Sequence, residues 1–343
     1  MRHILPYVSL DNFVKLTCCL FLICILYSNC TETTHYPDLE VIELPVPTVS
    51  SGQSRITTDA SGIPYLSWIE YLDDDTVDLR YATLQEDNSW SAPISIASGD
   101  DWFINWADFP SMVIYNDGSM AAHWLEMRDT GTYDYDVHIS QSVNGIDWSP
   151  SFVIHRDSVS AEHGFATLMP MGDRILSSWL DGRYTKEGEV NSNIEQENNA
   201  GSDHDHGRGA MTLRTATFDV GGHISHEFEL DHRICDCCQT DMALTSSGAV
   251  IVYRDRSEQE VRDISIVRHI GNRWSEPKSV YNDLWEINGC PVNGPAVAAH
   301  HQDVYVAWYT AANDIPKVQV AISTDAGVNF DLPLEINDNE PLG

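Results

Sequence analysis

The sequence predicts an all-β protein, a β-propeller assembled from repeated four-stranded units. Two observations carry this expectation. First, five segments share an apolar run around one aromatic residue, and most of them close on an acid: residues 65–70 around Trp68, 121–126 around Trp124, 176–181 around Trp179, 250–255 around Tyr253 and 304–309 around Trp308. The aromatic residues stand 56, 55, 74 and 55 positions apart, a period that marks a repeat architecture. Second, short strand-like runs separated by turn residues recur in the same order within each unit, and no stretch after the first 30 residues has helical periodicity.

Within a unit, a first apolar strand leads through a turn such as Asn116-Asp117-Gly118 or Ser247-Gly248 into the aromatic strand. A third strand follows (residues 78–84, 211–217 and 318–322), and a fourth comes after a Trp (90–96, 148–154 and 274–280). Four short antiparallel strands in about 55 residues make one propeller blade. The single long interval is explained by a polar stretch, residues 185–209, which lacks apolar periodicity and reads as an inserted loop.

The two ends suggest how the ring is completed. Residues 41–46 look like an outer strand placed ahead of the first blade, while the last unit has its own outer strand at 332–336. A six-bladed ring is expected, with five full blades, an N-terminal closing strand and an incomplete last blade; a five-bladed ring is the alternative.

Residues 1–30 read as an export signal. Lys15 precedes an apolar run at 16–27 that is short for a bilayer span but has the length of a signal core. It ends at Ser28-Asn29-Cys30, which resembles the bacterial lipoprotein signal, in which the cysteine after the cleavage site receives lipid. The expected organisation is a signal at 1–30, a linker at 31–39 and a propeller at 40–343. The protein is then exported to the cell envelope, with Cys30 as its membrane attachment; plain secretion or tethering in the membrane is the alternative. A formal net charge of −33 excludes nucleic acid as a natural partner.

One turn carries a family resemblance. Residues 323–330, from Ser323 through Asp325 and Gly327 to Phe330, match the Asp-box pattern of sialidase-like propellers, and 142–148 look like a shorter copy. The chain therefore resembles the sialidase-like family over roughly residues 40–340. In that family the Asp box holds a turn, so it implies fold and not activity. The family includes sialidases, which hold a sugar carboxylate with three arginines and use a Tyr nucleophile with a Glu and an Asp.

In a blade, the start of the innermost strand and the end of the second lie on one face, and most of the unusual residues fall there. For an acidic glycan or small ligand, the resemblance points to Asp108, Glu162 and Asp181 as acid/base groups. Arg55, Arg183, Arg254 and Arg256 would clamp a carboxylate through their planar forks. Arg55 precedes Ile56 as the first sialidase arginine precedes its Ile, although Thr57 replaces the usual Pro. No nucleophilic Tyr is identifiable in the sequence. Trp106, Trp102 and Asn293 are further candidates for ligand contact, whereas the repeated Trp residues read as core, and each Arg has ion pairing as its ordinary explanation.

A second reading rests on Cys235, Cys237 and Cys238, three soft ligands in four positions. Together with Cys290 and His163 they suit Cu or Zn. The competing expectation is a disulfide from Cys290 to one member of the cluster; a bond between the adjacent Cys237 and Cys238 would be strained. Asp203-His204-Asp205-His206 reads as a solvated tract, and His123 and His155 as structural histidines. A non-catalytic interaction scaffold is the third possibility.

Overall fold

A computed structural model describes residues 50–72, 75–186, 209–339 and 341. Among these the chain forms five antiparallel sheets, each in sequential strand order. The first blade is β1 (Ser51–Thr58), β2 (Pro64–Tyr71), β3 (Val77–Thr83) and β4 (Ile94–Gly99). The second is β5 (Ser111–Ile114), β6 (Met120–Met127), β7 (Tyr135–Ser142) and β8 (Phe152–Val153). The third is β9 (His163–Met171), β10 (Arg174–Asp181), β11 (Thr212–Asp219) and β12 (Ile224–Asp231). The fourth holds β13 (Asp241–Thr245), β14 (Gly248–Arg254) and β15 (Ile264–Ile270), with the short β16 (Arg273–Trp274) and β17 (Lys278–Ser279) both pairing with β15. The fifth is β18 (Ala296–His300), β19 (Asp303–Thr310), β20 (Lys317–Ser323) and β21 (Leu334–Glu335).

All five repeated aromatic residues stand on the second strand of their sheets, and all are buried. They explain the period: Trp124, Trp179, Tyr253 and Trp308 each wedge into the seam between neighbouring blades. Four apolar cores fill those seams. Ile69 and Leu79 meet Met112 and Trp124 between the first two blades; Leu125 and Val137 meet Ile175 and Trp179 in the next seam. Leu180 and Leu213 meet Ile251 and Tyr253, and Val252 and Ile266 meet Val306 and Trp308 in the remaining two. Burial of such large side chains is the dominant favourable contribution to folding, at roughly 1.5–3 kcal/mol each.

The turns follow their residue chemistry. In the β5–β6 hairpin Gly118 takes φ +86°, which glycine adopts without a steric penalty. Between β20 and β21, Asp325 Oδ1 accepts from the Asn329 amide at 2.8 Å and from the Ser323 hydroxyl at 2.8 Å, tying the loop to itself. Asn144 does the same work between β7 and β8, accepting the amides of Ile146 and Asp147, each at 2.9 Å. The expected closing strand at 41–46, the leader and most of the insertion lie outside the described residues, as does the Asp/His tract. No helix among the described residues is long and apolar enough to cross a membrane.

Candidate functional site

A cavity of about 240 Å³ opens on the face where innermost strands begin. Phe103, Asn105, Trp106 and Asp108 reach it from the loop before β5, and Tyr133 and Tyr135 from the start of β7. Glu162 enters just before β9, Asp236 and Cys237 from the loop before β13, and Cys290 from the loop before β18. A larger hollow of about 500 Å³ beside His226 and His269 has neither an acid nor a thiol in its lining, and one of about 510 Å³ beside Asp231 and Asp255 has acids but no thiol.

The centre of one wall is Tyr135. Its ring is 1% exposed and stacks on Phe103 with centroids 4.1 Å apart; its hydroxyl lies 2.9 Å from Glu162 Oε1 and 3.2 Å from Asp108 Oδ2. Burial first, and then the two carboxylates, push the Tyr135 phenol well above its usual pKa, so the hydroxyl keeps its proton. Burial also raises Asp108 to about 7, opposed by hydrogen bonds from the Phe165 amide and Tyr135. A carboxyl poised near neutrality beside a second acid is the arrangement proton-transfer sites use.

The backbone is shaped around this group. A Cβ on Gly164 would lie 2.0 Å from Asp108 Oδ2 and 2.8 Å from the Tyr135 ring, so only glycine admits both side chains. Two residues lining the cavity, Phe165 and Val292, hold left-handed φ values of 50° and 52°. A β-branched residue there is an outlier, and such strain concentrates at functional sites.

The opposite wall is the cysteine loop. Cys235 and Cys238 are buried, with Cys237 half-buried and facing the cavity, and all four cysteines of the blades are free thiols. Cys235 Sγ is 3.8 Å from Cys237 Sγ and 3.5 Å from Cys238 Sγ, and Arg262 Nη1 donates to it at 3.0 Å. Hydrogen bonds from Cys237 and Cys238, then the Arg262 charge, hold the Cys235 thiol well below its ordinary range. Its two neighbours are raised and keep their protons.

No known family matches the sequence, and no curated protein does either. Solved structures match the fold. An ulvan lyase of polysaccharide lyase family PL25 superposes with a TM-score of 0.50 at 12% identity, covering 83% of this chain and 69% of the lyase. A Penicillium chrysogenum α-L-arabinanase complexed with arabinobiose gives 0.47 at 10% identity over 82% of this chain and 80% of that one. A Hadza microbial sialidase gives 0.46 at 11% identity; 85% of this chain is covered, spanning 60% of the sialidase. The fold is a β-propeller.

On this propeller the arginine clamp expected from the resemblance is not assembled. Arg254 is 1% exposed and donates to three main-chain carbonyls, those of Asn293, Arg262 and Tyr309, while its guanidinium stacks 4.9 Å from the Trp285 ring. Arg183 is committed to Asp181, Asp157 and Glu227, and Arg256 to Glu260 and Asp236. Arg55 sits 5.9 Å over the Phe109 ring, outside the cavity lining. Asn293 turns its amide onto the Pro291 carbonyl. The ordinary explanation, ion pairing and internal hydrogen bonding, holds for Arg183, Arg254 and Arg256.

The acid/base candidates divide. Asp108 and Glu162 meet at Tyr135, but Asp181 is fully buried, accepting from Trp179 and Arg183, and does not line the cavity. Trp106 is 74% exposed at the rim of the cavity, whereas Trp102 stacks on Trp124 at 5.1 Å and belongs to the core. Sequence reasoning missed Tyr135. The start of the third strand shares the face used to locate the rim, and Tyr133 and Tyr135 flank it; including that segment would have found them.

His163 does not join the cysteines. It stacks on His155 at 3.7 Å in a buried cluster with Asp136, Asp157 and Asp181. Burial alone would lower its pKa, but hydrogen bonds with Asp136 and Asp157 outweigh that and raise it to about 9. The folded value lies above the unfolded one of about 6.5, so this stabilisation is complete below pH 6.5 and is lost as pH rises through 9. A rise of that size corresponds to roughly 3 kcal/mol. Urea midpoints should fall between pH 6.5 and 9.5, and the His163→Gln protein should lose most of that slope; an unchanged slope in the variant would assign the pH dependence elsewhere.

Proposed function

We propose that the cavity binds one neutral sugar ring, with Glu162, Tyr135 and Asp108 as its proton-transfer unit. The observation that carries this reading is the Tyr135 hydroxyl bridging two carboxyls inside an aromatic-walled pocket that no Lys or Arg lines among the described residues. Phe103, Tyr133 and Trp106 offer apolar faces to the C–H side of a sugar, and the acids accept from its hydroxyls. At about 240 Å³ the space lies below the roughly 300–1,000 Å³ of drug-sized sites, which favours a single ring. The lining carries Asp108, Glu162 and Asp236 but no Lys or Arg, and the guanidiniums of Arg256 and Arg262 behind Asp236 are already paired with it and with Glu260, so the acidic ligand drawn from the sialidase resemblance is replaced here by a neutral one.

Glu162 is the acid the pocket presents most openly. With its proton retained, Tyr135 acts as a neutral bridge that couples the charge of Glu162 to that of Asp108. A carboxylate pair working on a glycosidic bond divides into one group that delivers a proton and one that attacks or activates water. Calorimetric titration with neutral and carboxylated monosaccharides tests the binding step. Neutral sugars should bind, and Trp106→Ala should weaken them about tenfold, equivalent to about 1.4 kcal/mol. Preference for the carboxylated set would refute the reading.

The protein is proposed to work outside the cytoplasm, attached to the envelope through lipid at Cys30. Cys30→Ser should move it from the membrane fraction to the soluble fraction; retention in the membrane would exclude this anchor.

A further inference from the structure

The cysteine loop is more than one wall of the sugar pocket. Cys235, Cys237 and Cys238 offer three sulfur atoms that all lie within 4.8 Å of one another, and Asp236, Cys237 and Cys290 form a second such set sharing Cys237. The Sγ separations, 3.5 and 3.8 Å, are far from the roughly 2.05 Å of a disulfide. They are close to the edge of a metal–thiolate polyhedron. With metal–sulfur bonds of about 2.3 Å, tetrahedral ligands stand about 3.8 Å apart.

We propose that Cys235, Cys237 and Cys238 bind a thiophilic closed-shell cation, Cu(I) or Zn(II), with Cys290 completing the set from the neighbouring blade. The loop is built to hold these atoms in place. The Cys235 amide donates to the Arg254 carbonyl at 3.0 Å, and the Ile234 amide to the Met211 carbonyl at 3.0 Å. Beyond the cluster, Gln239 Nε2 donates to the Ala107 carbonyl at 2.6 Å, pinning the loop to the second blade.

Charge is arranged for thiolates. Arg262, 2% exposed, reaches Cys235 Sγ at 3.0 Å and Asp236 at 3.4 Å, and Arg256 reaches Asp236 at 3.3 Å. Two guanidiniums thus stand behind a cluster that becomes anionic when its thiols ionise. Each thiol that ligates gives its proton to solvent, so uptake of the cation releases protons and is stronger at higher pH. Soft sulfur donors select Cu(I) and Zn(II) over Mg(II) or Ca(II), which prefer oxygen. Cys237 and Cys290 face the cavity, which gives the cation a path from solvent.

The test uses the reduced full-length chain under anaerobic conditions. Cu(I) is titrated in competition with bicinchoninate, and Zn(II) separately against a chromophoric chelator. At least one of the two ions should bind with one-to-one stoichiometry. Cys235→Ser, Cys237→Ser and Cys238→Ser should each weaken it at least a hundredfold, and Cys290→Ser about tenfold. Melting curves of the metal-free variants identify any that fail to fold, and for those the Cys→Ala protein replaces the Cys→Ser one. X-ray absorption of the loaded wild type provides a second readout: a sulfur shell near 2.3 Å is expected. The proposal is overturned if neither ion binds above the level of the triple Cys→Ser protein, or if the bound ion has only nitrogen and oxygen neighbours. Sugar binding is measured on the metal-free protein, so the failure of one reading leaves the other standing.

Discussion

Replacing Arg254 by methionine is expected to lower the unfolding free energy by about 3–5 kcal/mol, among the largest losses a single substitution produces. The guanidinium is buried against Trp285 and satisfies the carbonyls of Asn293, Arg262 and Tyr309. The Tyr309 carbonyl is on β19, the second strand of the fifth blade, and those of Arg262 and Asn293 are in the loops before β15 and β18, so this one side chain ties the fourth blade to the fifth. Methionine retains the stem but leaves buried acceptors without donors, at about 1–3 kcal/mol for each such group. Arg254→Lys should rescue only in part, because one ammonium cannot aim at three carbonyls as a planar fork does. Urea unfolding measures the effect directly. A carboxylate clamp would behave differently: stability would stay within about 1 kcal/mol of wild type and only ligand affinity would fall.

Glu162→Gln is expected to reduce turnover of a neutral glycoside by about 10²–10⁴, the range typical of losing a positioned acid or base. The substitution retains shape and a carbonyl acceptor for the Tyr135 hydroxyl, so its melting temperature should stay near wild type. Asp108→Asn should cut turnover to a similar degree through a different route. In the wild type, Asp108 loses its proton as pH rises through about 7, and Tyr135 is then flanked by two like charges. The rate should therefore fall on the alkaline side with an apparent pKa near 7, and that limb should be absent in Asp108→Asn. The same variant should be more stable than wild type above pH 7, because it no longer buries an ionised carboxylate. A pair of variants with normal rates would remove both residues from the chemistry.

How much of this was legible in the sequence differs between scaffold and site. The blade repeat is written in Trp68, Trp124, Trp179, Tyr253 and Trp308, because a large aromatic residue is buried at a fixed place in the second strand of every blade, and four of the five fill a seam between blades. Periodicity of that kind survives in one dimension. The face that carries the cavity was legible as well, since strand direction alone fixes which loops share a rim, and Asp108, Glu162 and Trp106 do line that one cavity. Partner choice was not. Arg183, Arg254 and Arg256 are alike as letters, and only their positions show that carboxylates and carbonyls inside the protein already occupy them. His163 illustrates the same limit: it stands at the right end of its strand, yet its ring turns inward to Asp136 and Asp157 instead of across to the cysteines. Tyr135 was hidden for a different reason. It opens a third strand, and its importance lies in the 2.9 and 3.2 Å approaches to two acids 27 residues away on either side.

The neutral-sugar pocket is tested most directly by paired turnover. Fluorogenic glycosides of neutral pentoses and hexoses are compared with a fluorogenic sialoside, using wild type and Glu162→Gln at pH 6. Release from at least one neutral glycoside, lost in Glu162→Gln, with none from the sialoside, is the predicted result. Turnover of the sialoside in preference to every neutral substrate would contradict the account, because the lining carries Asp108, Glu162 and Asp236 but no Lys or Arg to hold that carboxylate.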